Sequence, residues 1–265
     1  MVESCPRGRG DAKEDAVSDE PPVRLHCFAH SGDGVSVFDG WPSATGPGVE
    51  AVPVRLPTGA RGSRPPLTTY QDFLAEVLPR FTPSQPGPYA LYGHGLGALA
   101  ALTVARALQE TGAPPPVLLA VGACPPPVPA RWAPAVKGGD ADLLRLLGEG
   151  TAIPPASDEG VFLRAMLPVL RADLQLAHSL HEAARTPAAR STLTSALLVV
   201  ASRDNPLAPP AAGAGWEQFT RGPVHLRTVP GHHFFVRGGR ALPRLLGRAC
   251  RVARRLAGQP APVGG

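Results

Sequence analysis

Lysine is almost missing from this chain. Of its 26 basic residues only Lys13 and Lys137 are lysine, and arginine supplies the rest. Aromatics are sparse as well, with 8 Phe, 3 Trp and 3 Tyr in 265 residues. The four cysteines (Cys5, Cys27, Cys124 and Cys250) stand far apart and form no C-x-x-C pair. That argues against a disulfide frame or a zinc site and fits a reducing compartment. No apolar run approaches the ~18 residues of a membrane span. The first 20 residues are polar and charged; they read as a tail without a secretory signal, and a cytoplasmic location is expected. There is no G-x-Y period and no repeat of ~20–50 residues, which excludes collagen-like and solenoid architectures.

Proline and glycine are abundant: 33 and 30 residues, nearly a quarter of the chain. That share lies just under the level of low-complexity sequence, so their placement decides. The clusters at Pro57-Thr58-Gly59, Pro65-Pro66, Pro83 to Pro88, Pro114 to Pro116 and Pro206 to Pro210 fall between periodic segments. Turn chemistry predicts that placement, and disorder does not. With 43% hydrophobic residues the chain can bury a core.

The net charge of +5 raises the question of a nucleic-acid partner. Its strongest support is Arg240, Arg244, Arg248, Arg251, Arg254 and Arg255, at helical spacing opposite Leu242, Leu245, Leu246, Val252 and Leu256. This is the pattern of an amphipathic surface helix with a solvated basic face. No aromatic side chains interleave with the arginines to stack on bases. Neither a nucleic acid nor a membrane is therefore expected as partner.

Strand-like runs are Val23 to Phe28, Ala51 to Leu56, Tyr89 to Tyr92, Val117 to Val121, Ala196 to Ala201 and Val224 to Val229. Helical spacing runs over residues 69–79 and 97–108. Strands separated by helices predict an α/β fold with a mostly parallel sheet covered on both faces. The interval 125–194 holds no strand-like run. It opens on Pro125 to Pro127 and then reads helical over 140–147, 161–167 and 168–184, which suggests a helical lid. The expected organisation is a tail at 1–20, one domain at 21–258 carrying the lid at about 125–194, and a tail at 259–265.

The segment Tyr89-Ala90-Leu91-Tyr92-Gly93-His94-Gly95-Leu96-Gly97-Ala98 reads as strand, sharp turn, helix. This is the layout of the G-x-S-x-G nucleophile elbow, with Gly95 at the middle position where that motif has Ser. Downstream, one strand ends at Ser202-Arg203-Asp204 and a later one leads to Gly231-His232-His233-Phe234-Phe235. The order elbow, Asp, His is that of α/β-hydrolases, and an Asp that orients a His is triad logic.

From Leu25 to Val236 the chain resembles the type II thioesterases that accompany polyketide and nonribosomal peptide synthetases. Four segments carry the resemblance. Cys27-Phe28-Ala29-His30-Ser31-Gly32-Asp33-Gly34 is similar to the family's F-P-H-A-G-G loop. Gly93-His94-Gly95-Leu96-Gly97-Ala98 is similar to G-H-S-M-G-A. Leu167-Pro168-Val169-Leu170-Arg171-Ala172-Asp173 is similar to L-P-x-L-R-A-D in the lid. Gly231-His232-His233-Phe234-Phe235 is similar to G-x-H-F-F. The resemblance implies an α/β-hydrolase fold with a helical lid over an acyl channel. It also implies that His233 is the general base, that Asp204 orients it, and that the backbone N–H groups of Ser31 and Leu96 form the oxyanion hole. It implies a partner, an acyl or peptidyl carrier protein bearing a phosphopantetheine-bound chain, or a free polyketide-like intermediate. No cofactor and no metal is implied.

Gly95 stands where this family's serine attacks the thioester, and a glycine cannot form an acyl-enzyme. Loss of a triad member leaves about 10³ to 10⁴-fold catalysis over water. Other positions depart too. Ala29 replaces a Pro and Asp33 a Gly, and a carboxylate beside an oxyanion hole opposes a developing negative charge. The family's P-G-R segment reads Pro57-Thr58-Gly59-Ala60-Arg61 here. Three readings stay open. The Asp204–His233 pair could act on a water or a substrate hydroxyl, giving hydrolysis, cyclisation or dehydration, with Asp33 and His30 as further acid/base candidates. The chain could bind a carrier protein or acyl chain without chemistry. Or it could be an editing thioesterase with a displaced nucleophile, Ser31 or Ser202. Elsewhere, His94 reads as a packing and hydrogen-bonding residue of the turn. His178 and His181 read as part of a solvated lid face, Cys124 as a small buried thiol, and Arg171 and Asp173 as structural.

Overall fold

The computed structural model describes residues 20–28, 34–56, 65–81, 87–127, 139, 158–186 and 192–258. The expected tail at 1–20 apart from Glu20, the expected tail at 259–265, the expected helix at 140–147 and the Pro57 to Arg61 segment lie outside them. So do Ala29, His30, Ser31 and Asp33.

Among the described residues six strands form one parallel sheet: β1 (Val23–Phe28), β2 (Val49–Val54), β3 (Tyr89–His94), β4 (Leu118–Gly122), β5 (Ala196–Ser202) and β6 (Val224–Val229). Their order is β2-β1-β3-β4-β5-β6, with every neighbouring pair parallel. The chain goes from β1 outward to β2, then crosses back to build β3 on the other side of β1. The strand order therefore reverses between β1 and β3. In open parallel sheets such a switch point leaves a crevice at the carboxyl ends of the strands. The central strands β3, β4 and β5 are buried almost throughout, which is why they read as near-continuous apolar runs. At the edges the pattern relaxes. β2 tolerates Pro53, which an interior strand would not. β6 exposes His225, Leu226, Arg227 and Thr228.

The helices among the described residues are α1 (Tyr70–Val77), α2 (Leu96–Glu110), α3 (Asp158–Arg185) and α4 (Ala241–Ala257). Thr69 caps α1 by accepting the Asp72 amide at 3.2 Å. Helix α2 is buried along nearly its whole length because its side chains are small or apolar. On one face of the sheet α1, α2 and α3 pack with Phe28, Leu91 and Leu119. On the other, α4 packs with Val23, Leu25, Phe38, Trp41 and Tyr92. A 3-10 segment at Pro210–Phe219, not anticipated from the sequence, seats the fully buried Trp216. The Trp216 indole N–H donates to the Cys124 carbonyl at 3.1 Å.

Three expectations need correction. The lid pattern predicts two helices meeting at Pro168, yet α3 runs continuously through Pro168. A proline costs a helix one hydrogen bond and a clash with the preceding turn. Here Leu167, Ala172, Leu176, Ala177 and Leu180 are buried on both sides of it in sequence, and that burial offsets the cost. The second half of α3 is core, with Leu176, Ala177 and Leu180 in the same cluster as Leu99 and Leu102. Second, His181 is not on a solvated face: it is buried, and Nδ1 lies 3.4 Å from Glu182. Third, the arginine face of α4 is only partly solvated. Arg251 donates to the carbonyls of Thr45 and Pro47 at 3.0 and 3.1 Å. Arg254 pairs with Glu20 at 2.6 Å and donates to the Pro21 carbonyl at 2.8 Å, and Arg240 reaches Ser43.

Candidate active site

The elbow sits at the carboxyl end of β3, beside the switch point. Gly95 has φ +56° and ψ −121°, a conformation that L side chains rarely adopt. Its amide donates to the Gly122 carbonyl at 2.9 Å, and its carbonyl accepts the Ala98 amide at 3.0 Å. The flanking glycines serve close approach. A Cβ on Gly93 would collide with the Gly97 carbonyl, and one on Gly97 with the Phe28 carbonyl. Strand β3, helix α2 and the end of β1 thus meet at van der Waals limits. Leu96 is the first residue of α2, so its N–H belongs to the unsatisfied amides of a helix N-terminus, where negative charge is favoured.

Across from the elbow lies the turn after β6. A Cβ at Gly95 would stand 3.5 Å from His233 Nε2 and 3.7 Å from its Cε1. His233 is half-buried, with its ring edge-on to His94 at 5.5 Å and to Phe234 at 5.1 Å between centroids. The structure therefore brings His233, Gly95 and Leu96 together, from positions almost 140 residues apart in sequence.

Asp204 lies on the adjoining turn after β5. Its Oδ2 accepts the Gly231 amide at 3.1 Å, two residues before His233. Its carbonyl accepts from His232 Nδ1 at 3.1 Å. The Ser202 hydroxyl donates to the Gly231 carbonyl and accepts the Asp204 amide at 3.1 Å. The turn bearing the histidines is thus stitched to the end of β5. Ser202 is fully buried in this stitching, so it is structural and not the displaced nucleophile considered from the sequence. Ser31, the other candidate, lies outside the described residues with Asp33 and His30.

His94 is buried and bonds to Tyr92 and to the His233 main chain, as its reading as a turn residue anticipated. Sequence reasoning missed that its partner is His233. Cys124 donates to the Pro125 carbonyl at 3.3 Å, and burial pushes its thiol up to about 12. It stays protonated and unreactive, as expected of a small buried thiol. Among the described residues, no three His, Cys, Asp or Glu side chains are grouped to hold a metal ion. No described helix is long and apolar enough to cross a membrane.

A parallel sheet reversing beside a strand–turn–helix elbow, with a histidine turn facing it after the last strand, is the architecture of an α/β-hydrolase. Within that class the chain belongs to the thioesterase domain family, which matches residues 23–250. A "Probable cadicidin biosynthesis thioesterase" of Streptomyces griseus is 32% identical over 222 residues, 81% of this chain. The match spans 58% of that relative's own length. "Thioesterase PikA5" of Streptomyces venezuelae is also 32% identical, over 81% of this chain and 75% of its own length. Among solved structures, the RedJ thioesterase from the prodiginine biosynthetic pathway of Streptomyces coelicolor superposes with a TM-score of 0.70. It is 31% identical, covering 87% of this chain and 90% of RedJ.

Proposed function

We propose that this chain acts in polyketide or nonribosomal peptide biosynthesis, on an acyl or peptidyl chain held on a carrier protein's phosphopantetheine or released from it. It would do so as an acid/base catalyst lacking the serine nucleophile. The supporting observation is the aim of His233 Nε2 at the position a side chain would occupy on residue 95, 3.5 Å from that Cβ site. With no side chain there, a water or a substrate hydroxyl takes the place of the serine oxygen.

On a thioester, water attacks directly and no acyl-enzyme forms. His233 Nε2 removes a proton from the water as its oxygen bonds to the carbonyl carbon. The carbonyl π pair moves onto oxygen, where the N–H of Leu96, and of Ser31 in this reading, stabilise it. The oxyanion collapses, the C–S bond breaks, and the imidazolium returns its proton to the leaving thiolate. Acid and thiol are the products. An intramolecular hydroxyl in place of water gives a lactone by the same steps. Asp204 supports the base by holding the Gly231 end of its turn.

A simple acyl thioester offers no internal hydroxyl, and a water at residue 95 is not tethered as a serine oxygen is, so the wild-type protein should hydrolyse it negligibly beside a Gly95→Ser variant. The test is turnover of a carrier-loaded chain, followed by mass spectrometry, with wild type and His233→Ala. The reading expects product from wild type and a rate reduced by about 10²-fold or more in the variant. Equal rates would overturn it. A pathway product lost on gene deletion but intact with His233→Ala would instead identify a binding module.

A further inference from the structure

His94 joins the two halves of the site, yet no step above uses it. Its Nε2 lies 2.7 Å from the main-chain carbonyl oxygen of His233, and its Nδ1 lies 3.0 Å from the Tyr92 hydroxyl. A carbonyl oxygen only accepts, so His94 Nε2 carries the proton. In the neutral ring Nδ1 is then the acceptor, and the Tyr92 O–H donates to it. Tyr92 is wholly buried and burial raises its pKa well above the usual value, so the hydroxyl keeps its proton.

Both ends of this relay are fixed. Tyr92 and His94 share one face of β3, being two residues apart. The Tyr92 ring packs on Trp41 at 5.5 Å and on Phe38 at 6.5 Å between centroids. The His94 ring stands edge-on to Phe235 at 4.8 Å. The carbonyl it holds belongs to the residue whose ring faces position 95, and His94 itself is bonded to Gly95. A single strand end thus sets the elbow and the main chain of the facing histidine together.

We propose that His94 is a positioning residue whose Nε2–H···O=C bond to His233 fixes the placement of the His233 ring over residue 95. The proposal rests on reading His233 as the base. Misplacing a reacting group by ~1 Å costs up to about 100-fold in rate. The bond therefore affects kcat, while KM, set by contacts elsewhere, stays within about twofold.

Two measurements test it. In the native chain, cross-relaxation between His233 Hε1 and the Gly95 α protons reports the ring's placement without any activity. His94→Phe should weaken it, and His94→Gln, whose amide N–H reaches the same carbonyl, should keep it. In a Gly95→Ser background, hydrolysis of an acyl-N-acetylcysteamine should lose about 10- to 100-fold in kcat with His94→Phe and recover with His94→Gln. Thermal unfolding of each variant separates this from loss of folded protein. Equal cross-relaxation in the two variants, or equal kcat, overturns the positioning role. A Gly95→Ser/His233→Ala protein as active as Gly95→Ser overturns the reading of the base itself, which is a different result.

Discussion

At the scale of single residues, Gly95 holds with ease a backbone conformation that a serine there would hold only at a cost. At φ +56° and ψ −121° a glycine is relaxed, whereas an L side chain stores about 1–3 kcal/mol of strain. Gly95→Ser should therefore lower the unfolding free energy by ~1–3 kcal/mol, measured by chemical denaturation, even as it supplies an oxygen to His233. His26, on β1, gives a second residue-scale prediction. Burial first, and Arg24 second, lower its pKa from 6.5 to about 4, and its ring packs on Phe81 at 4.9 Å. The unfolded chain takes up the proton near pH 6.5 but the folded one only near 4. The stability His26 contributes is thus full above pH 6.5 and is lost as pH falls toward 4. Wild type should lose ~1–3 kcal/mol more over that interval than His26→Phe.

At the scale of elements, α3 is where the sequence misled most. Pro168 reads locally as a helix boundary, because the residue before a proline avoids helical backbone. What overrides it is tertiary: side chains on either side of Pro168 are buried, and further along the helix the Tyr70 amide donates to Ser179 Oγ at 2.8 Å and Arg106 donates to the Ala184 carbonyl at 3.0 Å. Neither contact has a periodicity to betray it. Arg106, nearly buried with its guanidinium 5.1 Å over Phe219, serves as a cap for the end of α3. Arg106→Met should free the last turn of α3, raising amide exchange over residues 181–185 at a cost of about 1–3 kcal/mol. Pro168→Ala should do the reverse. Pro168 is exposed, so restoring its amide should raise stability by ~1–2 kcal/mol, part of the helical penalty being offset by greater freedom in the unfolded chain. Unchanged thermal midpoints in both variants would contradict this view of α3. The same blindness to distant partners applies to α4. Arg251 and Arg254 fit a solvated stripe by spacing alone, and only the fold brings Thr45, Pro47 and Glu20 to them.

At the scale of the molecule, most of the sheet was legible because burial on both faces writes itself as apolar runs. The apolar runs give β1 and β6 at their observed bounds and β3, β4 and β5 to within two residues. β2 begins and ends two residues before its apolar run, since Pro53 and its mixed burial blur an edge strand. The elbow was legible for a steric reason, because Gly93 and Gly97 mark a strand and helix too close for side chains. The order elbow, Asp, His implies a histidine facing residue 95, and the choice of His233 over His232 comes from the resemblance. The coupling of His94 to His233 could not be read at all, since a hydrogen bond to a main-chain carbonyl leaves no mark in residue type at the far end.

The residue, the element and the molecule meet at one point: His233 faces an elbow whose middle residue, Gly95, has no side-chain oxygen to offer it. The most direct test is the initial rate of acyl-N-acetylcysteamine hydrolysis by wild type, Gly95→Ser and Gly95→Ser/His233→Ala. The account predicts negligible turnover by wild type, a gain of at least about 10²-fold in Gly95→Ser, and its loss in the double variant. Turnover by wild type equal to that of Gly95→Ser, or a double variant as fast as the single one, would contradict it.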